Sequence, residues 1–241
     1  MSFRFKQFFI EDSKCAMKVG TDGVLLGAWS PVTGYGVRAT GYRVLDIGTG
    51  SGLIARMLMQ RCPEAEVEGI DIDEAAVEQA RENAVDAFHS SLQEWKANGQ
   101  WTMDNGQLYD LVVSNPPYFQ NSLKNPDKGR QTARHTDTLS YEELVKHSAR
   151  LLKENGQLAL ILPAEAEAEV RALAAQYDLY CSRVTRVYSK VQKPVRRVLL
   201  NFQKWTMDNG QWTIVEDTLI LEDDKGGRSQ QYQELTKDFY L

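Results

Sequence analysis

The segment Val44-Leu45-Asp46-Ile47-Gly48-Thr49-Gly50-Ser51-Gly52 limits the possible folds more than any other part of the chain. A short apolar run enters a turn with glycine at every second position, and the helical pattern Leu53–Arg61 leaves it. An apolar run this short, bounded by a turn, reads as a buried strand. Glycine supplies backbone conformations that a Cβ forbids, and it lets the main chain lie close against a ligand. Strand, glycine turn and helix, in that order, open a βαβ unit.

The alternation continues. Glu66–Ile70 is a second strand, and Asp73 can cap a helix over Glu74–Val85 with Ala76, Val77, Ala80 and Ala84 on one face. Asp110–Ser114 is a third strand. Ser140 with Glu143 is a capping-box signature for a helix to Lys153, ended by Asn155-Gly156. Gln157–Leu162 is an apolar strand stopped by Pro163. Ala164–Gln176 is helical, and Val184–Tyr188 and Arg197–Phe202 are further strands. This pattern predicts an α/β fold, a largely parallel sheet with helices on both faces. In such sheets ligands bind beyond the carboxyl ends of the strands, near the switch in strand order. One domain over residues 1–241 is expected, with 1–40 as a lead-in and 41–241 as the core. Trp101–Gln107 and Trp205–Gln211 are identical heptapeptides. Both read as surface-turn insertions, the second inside a hairpin from Arg197–Trp205 to Trp212–Leu221.

Three widely spaced cysteines and no paired-cysteine motif argue against a disulfide framework or a metal site, and fit a reducing cytoplasm. No stretch resembles a signal peptide or a membrane span. The net charge of −5 argues against a polyanionic partner, but its distribution matters more than the sum. Arg183, Arg186, Lys190, Lys193, Arg196, Arg197 and Lys204 follow one another without an intervening acid. A second basic set is Lys124, Lys128, Arg130, Arg134 and His135. Both flank the candidate active site, which points to RNA. Lys124, Lys128, Arg130, Arg134, Arg186, Lys190, Lys193, Arg196 and Arg197 are the candidate RNA contacts. His147, within the capped helix, reads as a surface or packing residue.

The glycine turn has the spacing Gly48-x-Gly50-x-Gly52, unlike the dinucleotide fingerprint, and Asp46 stands two residues before it. An acid there repels a pyrophosphate and suits a cationic ligand. S-adenosylmethionine carries an ammonium and a sulfonium and no phosphate. Asp71, at the end of the second strand, can accept both hydroxyls of a ribose, with Ile72 beside it; Asp73 is the helix cap. Ser91 and Leu92 follow a segment, Glu82–Ser90, that looks short for a strand. Ser91 would meet the adenine amine of the cofactor where an acid is usual, and Leu92 would cover one adenine face.

Ser114-Asn115-Pro116-Pro117-Tyr118-Phe119 follows the third strand. An aromatic or amide NH2 is a poor nucleophile, because its lone pair is delocalised. Two acceptors aimed at its hydrogens, Asn115 Oδ1 and the Pro116 carbonyl, would free that pair. Pro116 and Pro117 stiffen the loop and remove competing donors. Tyr118 offers a face on which an unstacked base can lie.

The chain resembles class I methyltransferases, and within them the tRNA adenine-N6 methyltransferases that modify adenine 37 of a valine tRNA. The resemblance rests on Phe3–Phe9, Cys15–Gly23, Leu45–Gly52, Ser114–Phe119, Arg197–Leu200 and the tail Leu235–Leu241. It implies a seven-stranded Rossmann-like sheet with its last strand antiparallel, S-adenosylmethionine as cofactor, tRNA as partner, and no metal. It also places Lys18, Thr21, Asp22 and Gly23 over the cofactor and target pocket. Ser91 and the two heptapeptides depart from the family pattern. Release-factor glutamine methyltransferases use the same Asn-Pro-Pro-Tyr motif but usually add a helical domain before the sheet. DNA adenine methyltransferases usually add a target-recognition domain. A non-catalytic RNA-binding relative is the remaining alternative, and a monomer is compatible with the sequence.

Overall fold

A computed structural model describes residues 2–32, 41–95, 108–117, 139–205 and 212–240. Tyr118, Lys124, Lys128, Arg130, Arg134, His135 and both heptapeptides, apart from Trp205, lie outside the described residues. The lead-in forms a two-stranded antiparallel sheet, β1 (Ser2–Arg4) and β2 (Phe9–Glu11), then helix α1 (Thr21–Trp29). The core follows as β3 (Arg43–Ile47), α2 (Leu53–Arg61), β4 (Glu66–Asp71), α3 (Glu74–Glu82), β5 (Asp86–His89), β6 (Tyr109–Ser114), α4 (Tyr141–Leu151) and β7 (Leu152–Pro163). A 3-10 turn (Ala164–Ala166) leads into α5 (Glu167–Ala175), β8 (Leu179–Tyr188), β9 (Arg197–Lys204), β10 (Val215–Ile220) and α6 (Gln230–Thr236).

The main sheet runs β10-β8-β9-β7-β6-β3-β4-β5, and β9 alone is antiparallel to its neighbours. The first seven of its strands in chain order match the expected seven-stranded arrangement, with the seventh antiparallel. β10 is an added edge strand, paired parallel to β8. The expected hairpin from Arg197–Trp205 to Trp212–Leu221 therefore does not form. Both edges of β9 are already bonded, to β7 and β8, so β10 pairs instead with the far edge of β8. Trp205 and Trp212 still meet, with ring centroids 5.4 Å apart, and both pack against Tyr180.

The apolar pattern decides the layers. Along β7, Leu158, Leu160 and Leu162 face one core with Leu144 and Val145 of α4 and Val170 of α5. Ala159 and Ile161 face the other, with Leu25 of α1, Leu58 of α2 and Val77 of α3. This two-residue period, buried on both sides, marks the interior strand of a sheet covered by helices on both faces. The capping box forms as read, since Ser140 Oγ accepts from Glu143 N and Glu143 Oε2 accepts from Ser140 N. α4 nevertheless stops at Leu151, two residues before the expected end. Lys204 Nζ reaches its final turn and donates to the carbonyls of Ala149 and Leu152. Asn155 (φ 61°) and Gly156 then sit within β7, next to an irregularity in its pairing with β6, rather than ending the helix.

The lead-in is bound from both ends. Phe5, Phe8 and Ile10 share a core with Phe239, Leu53 and Met57. Asn83 accepts from Glu11 N and donates to the carbonyls of Glu11 and Ser51, and Gln79 Oε1 accepts from Ser13 Oγ and Lys14 N. The end of α3 thereby holds residues 11–14 beside the glycine turn.

Candidate active site

β4 and β5 extend from β3 to one side and β6 and β7 to the other, so strand order reverses between β3 and β6. A cavity of about 1000 Å³ opens at the carboxyl ends of these strands. It brings together Lys18, Thr21, Asp22, Gly23, Gly48, Gly50, Asp71, Ile72, Ser91, Leu92, Asn115, Pro116 and Pro117 from the sequence-derived candidates. Asp46 and Gly52 do not line it.

The glycine turn explains this division. Gly48 (φ 69°) and Gly50 (φ 54°) hold left-handed backbone, and a Cβ on either would project into open space. Gly52 also has positive φ (78°), but its Cβ would lie 2.7 Å from Val85 Cγ2. Gly48 and Gly50 therefore leave main chain bare to a ligand, while Gly52 lets α2 start tightly against the segment after α3. Asp46 is fully buried behind the turn. Its Oδ2 accepts from Thr49 Oγ1 (2.8 Å) and Ala55 N (3.3 Å), and burial pushes its carboxyl up to about 7. The expectation that Asp46 faces a cationic ligand is corrected: this acid braces the turn from inside. Gly69 in β4 makes room for Thr49, whose side chain would lie within 2.8 Å of a Cβ there.

Asp71 closes the turn from the cavity side. One oxygen accepts from Gly50 N (2.9 Å) and the other from Asp73 N (3.0 Å), which leaves further lone pairs at the cavity wall. Asp73 caps α3 through Ala75 N, as its position predicted. Ser91 is engaged locally: its hydroxyl donates to Glu94 Oε2 and accepts from Glu94 N. β5 is four residues long, as the short segment before Ser90 implied. Gln93 and Glu143 are among the wall residues that the sequence did not assign to the site. Gln93 Nε2 donates to Glu143 Oε1 (3.1 Å), joining the turn after β5 to the first turn of α4. They are fifty positions apart, and no local pattern announces such a pair.

Asn115 and Pro116 leave β6 as β6 passes the end of β3. Ser114 Oγ donates to the Ile47 carbonyl and fixes that exit. Asn115 Nδ2 lies 3.9 Å from Met17 Sδ in the lead-in, so the lead-in forms the opposite wall. Lys18 lines the cavity, but its ammonium donates to the carbonyls of Asp12, Ser13 and Cys15 and ties its own loop together.

The basic run along β8 and β9 is corrected in part. Parallel pairing with β10 sets Glu216 and Asp217 beside β8. Arg183 bridges Asp217, Arg186 bridges Glu167 and Glu216, Lys190 bridges Glu222, and Arg197 bridges Asp22. Lys193 and Arg196 are exposed and form no ion pair among the described residues. The loop that carries them joins β8 to antiparallel β9, and so lies at the same end of the sheet as the cavity.

Residues 36–182 match the family model described as the methyltransferase small domain. A tRNA1(Val) (adenine(37)-N6)-methyltransferase from Bacteroides thetaiotaomicron is 41% identical over 240 residues, covering 99% of this chain and 97% of its own. One from Flavobacterium johnsoniae is 40% identical and covers 99% of both chains. The chain belongs to this methyltransferase family. Solved structures confirm the class I fold at low identity. An Agrobacterium tumefaciens protein described as a predicted O-methyltransferase matches with a TM-score of 0.65 at 18% identity, covering 90% of this chain and 96% of its own. A TehB-like S-adenosylmethionine-dependent methyltransferase from Corynebacterium glutamicum gives 0.51 at 16%, covering 79% and 90%. The methyltransferase cofactor, S-adenosylmethionine, suits the cavity of this family member. The bare main chain at Gly48 and Gly50 and the acid at Asp71 fit a nucleoside without phosphates.

Proposed function

We propose that the chain transfers a methyl group from S-adenosylmethionine to the N6 amine of an adenine in tRNA, adenine 37 of a valine tRNA being the target that its relatives' name specifies. The observation that carries this reading is that Asn115 and Pro116 share one cavity with the bare glycine turn and Asp71. When bound, the cofactor supplies an electrophilic methyl group on a sulfonium.

In this reading the main chain at Gly48 and Gly50 receives the cofactor. Asp71 accepts from its ribose hydroxyls, Ile72 and Leu92 cover its adenine, and Ser91 faces that adenine's edge. Thr21, Asp22 and Gly23 close the cavity from the lead-in side, with Lys18 shaping the loop above. Asn115 Oδ1 and the Pro116 carbonyl accept the two hydrogens of the target amine. The nitrogen is drawn toward tetrahedral geometry and its lone pair points at the methyl carbon. Asn115 and Pro116 would thereby hold the attacking nitrogen in place for the methyl group that the bound cofactor would supply. The alkylated amine is then acidic and gives its proton to water, so no buried base is required. Pro117 and Tyr118 would support the base outside its stack. Catalysis of this kind is positioning and electrostatics. The same reading treats residues 1–241 as one catalytic unit in the cytoplasm. Lys193 and Arg196 take tRNA phosphates, and Lys124, Lys128, Arg130 and Arg134, outside the described residues, are further candidate phosphate contacts.

The test is methylation of unmodified tRNA with labelled cofactor, followed by nucleoside analysis. N6-methyladenosine is the expected product. Label on a release-factor glutamine, or none on tRNA, would overturn the reading. Asn115→Ala is expected to abolish transfer while leaving the Kd for S-adenosylhomocysteine within about twofold, well under the tenfold that 1.4 kcal/mol represents. Turnover that survives this change would remove Asn115 from the mechanism.

A further inference from the structure

Met17 sits in a loop that is otherwise tightly secured. Cys15 before it is buried, and Cys15 N donates to the Asp12 carbonyl. Lys18 after it is tied to three carbonyls, and Val19 N donates to the buried Asp12 carboxylate. Gln79 and Asn83 fasten the start of the loop to α3. Yet Met17 is left 49% exposed at the cavity, its sulfur 3.9 Å from the Asn115 amide nitrogen. The fold thus holds a long apolar chain in water, over the residue proposed to grip the target amine.

Two properties of a thioether bear on this site. It is an acceptor only, and its unbranched apolar chain adapts to flat partners. A carboxamide can present either its oxygen or its NH2 to a ligand, and an NH2 turned toward the target amine would repel it. An acceptor on the Nδ2 side favours the orientation that offers Oδ1.

We propose that Met17 is a base-contacting residue: its apolar chain covers one face of the extruded adenine, while its sulfur takes an Asn115 amide hydrogen and leaves Oδ1 for the base's NH2. The proposal rests on the adenine-methylating reading above. It assigns the lead-in a part in choosing the substrate, beyond closing the cofactor cavity.

The experiment uses the full chain, S-adenosylhomocysteine, and a valine tRNA with 2-aminopurine in place of adenine 37. The fluorescence of this base rises when it leaves its stack. Met17→Ala is expected to leave S-adenosylhomocysteine affinity and thermal stability unchanged. It should remove most of the fluorescence rise and lower kcat on normal tRNA by about tenfold, comparable to the low end of what loss of an aromatic side chain stacked on a base costs. Met17→Leu keeps the apolar volume without the acceptor, so it should restore the fluorescence rise but only part of kcat. Two results would overturn the proposal. One is a Met17→Ala variant that extrudes and methylates the base like wild type. The other is a variant that loses S-adenosylhomocysteine affinity in step with kcat, which would place Met17 in the cofactor wall. If wild-type protein itself neither methylates nor extrudes the base, the failure belongs to the functional reading and not to Met17.

Discussion

Gly52→Ala separates the structural glycine of the turn from the two that face the cavity. An alanine there must hold φ near 78°, where a Cβ crowds its own backbone. That costs about 1–2 kcal/mol. The same Cβ would sit 2.7 Å from Val85 Cγ2, 3.3 Å from Val85 Cβ and 3.4 Å from Ala80 Cβ. Val85 is β-branched and 4% exposed, so it cannot swing aside. Forcing a methyl into such a site costs about 1–3 kcal/mol. The sum is a loss of about 2–5 kcal/mol, measurable as a lowered urea midpoint with unchanged slope by tryptophan fluorescence. Val85→Ala supplies the control. In the double variant the 2.7 Å clash with Cγ2 is gone, leaving the backbone cost and the milder Cβ contacts, so the two changes should fall short of additivity by up to about 1–3 kcal/mol. Gly50→Ala, whose Cβ meets nothing, should cost only the backbone share but block S-adenosylhomocysteine binding. The reasoning is refuted if Gly52→Ala loses less than about 1 kcal/mol, the floor of the backbone cost alone, or if the double variant is fully additive.

Asp46 has its carboxyl raised to about 7 by burial, so folding holds a proton there that the unfolded chain releases near the ordinary value of 3.8. Stability from this group is complete below that value and is lost as pH rises toward 7. Asp46→Asn should therefore gain on wild type between pH 4 and 7 in urea midpoints, and a constant difference across that range would contradict the burial argument. Lys193→Glu and Arg196→Glu should each weaken tRNA binding and flatten its salt dependence by about one unit of slope. Arg186→Ala, whose guanidinium already holds Glu167 and Glu216, should leave that slope unchanged in the same filter-binding series. Asn83→Ala removes three bonds to residues 11 and 51 at a cost of about 1–3 kcal/mol. It should expose residues 11–20 to limited proteolysis before the rest of the chain, and uniform protection would mean the lead-in is held elsewhere.

Wherever the determinants were local, the sequence was legible. α2 has the bounds its helical pattern indicated. Asp73 and Ser140 cap the helices they precede, because a cap involves residues two or three apart. Asp71 and Asn115 reach the cavity because one ends and the other directly follows a strand whose direction the βαβ pattern had fixed. Asp46 misled for the same local reason. Its position two residues before the turn says that it is near the ligand site, but not which side of the main chain it occupies.

Two identical helical or strand patterns can be joined in many ways, and here distant partners made the choice. The chain alone settled the order of elements, the faces they bury and the loop that carries Asn115, since these depend on neighbours within a turn or a strand repeat. Tertiary structure settled that β10 lies beside β8, because β9 had no free edge. That pairing placed acids against a basic run which in sequence held none. It also settled where α4 ends, through a lysine on β9, and which wall faces Asn115, through a methionine ninety-eight positions earlier. Charge pairing, strand neighbours and cavity walls depend on distances through space, and separation along the chain does not encode them.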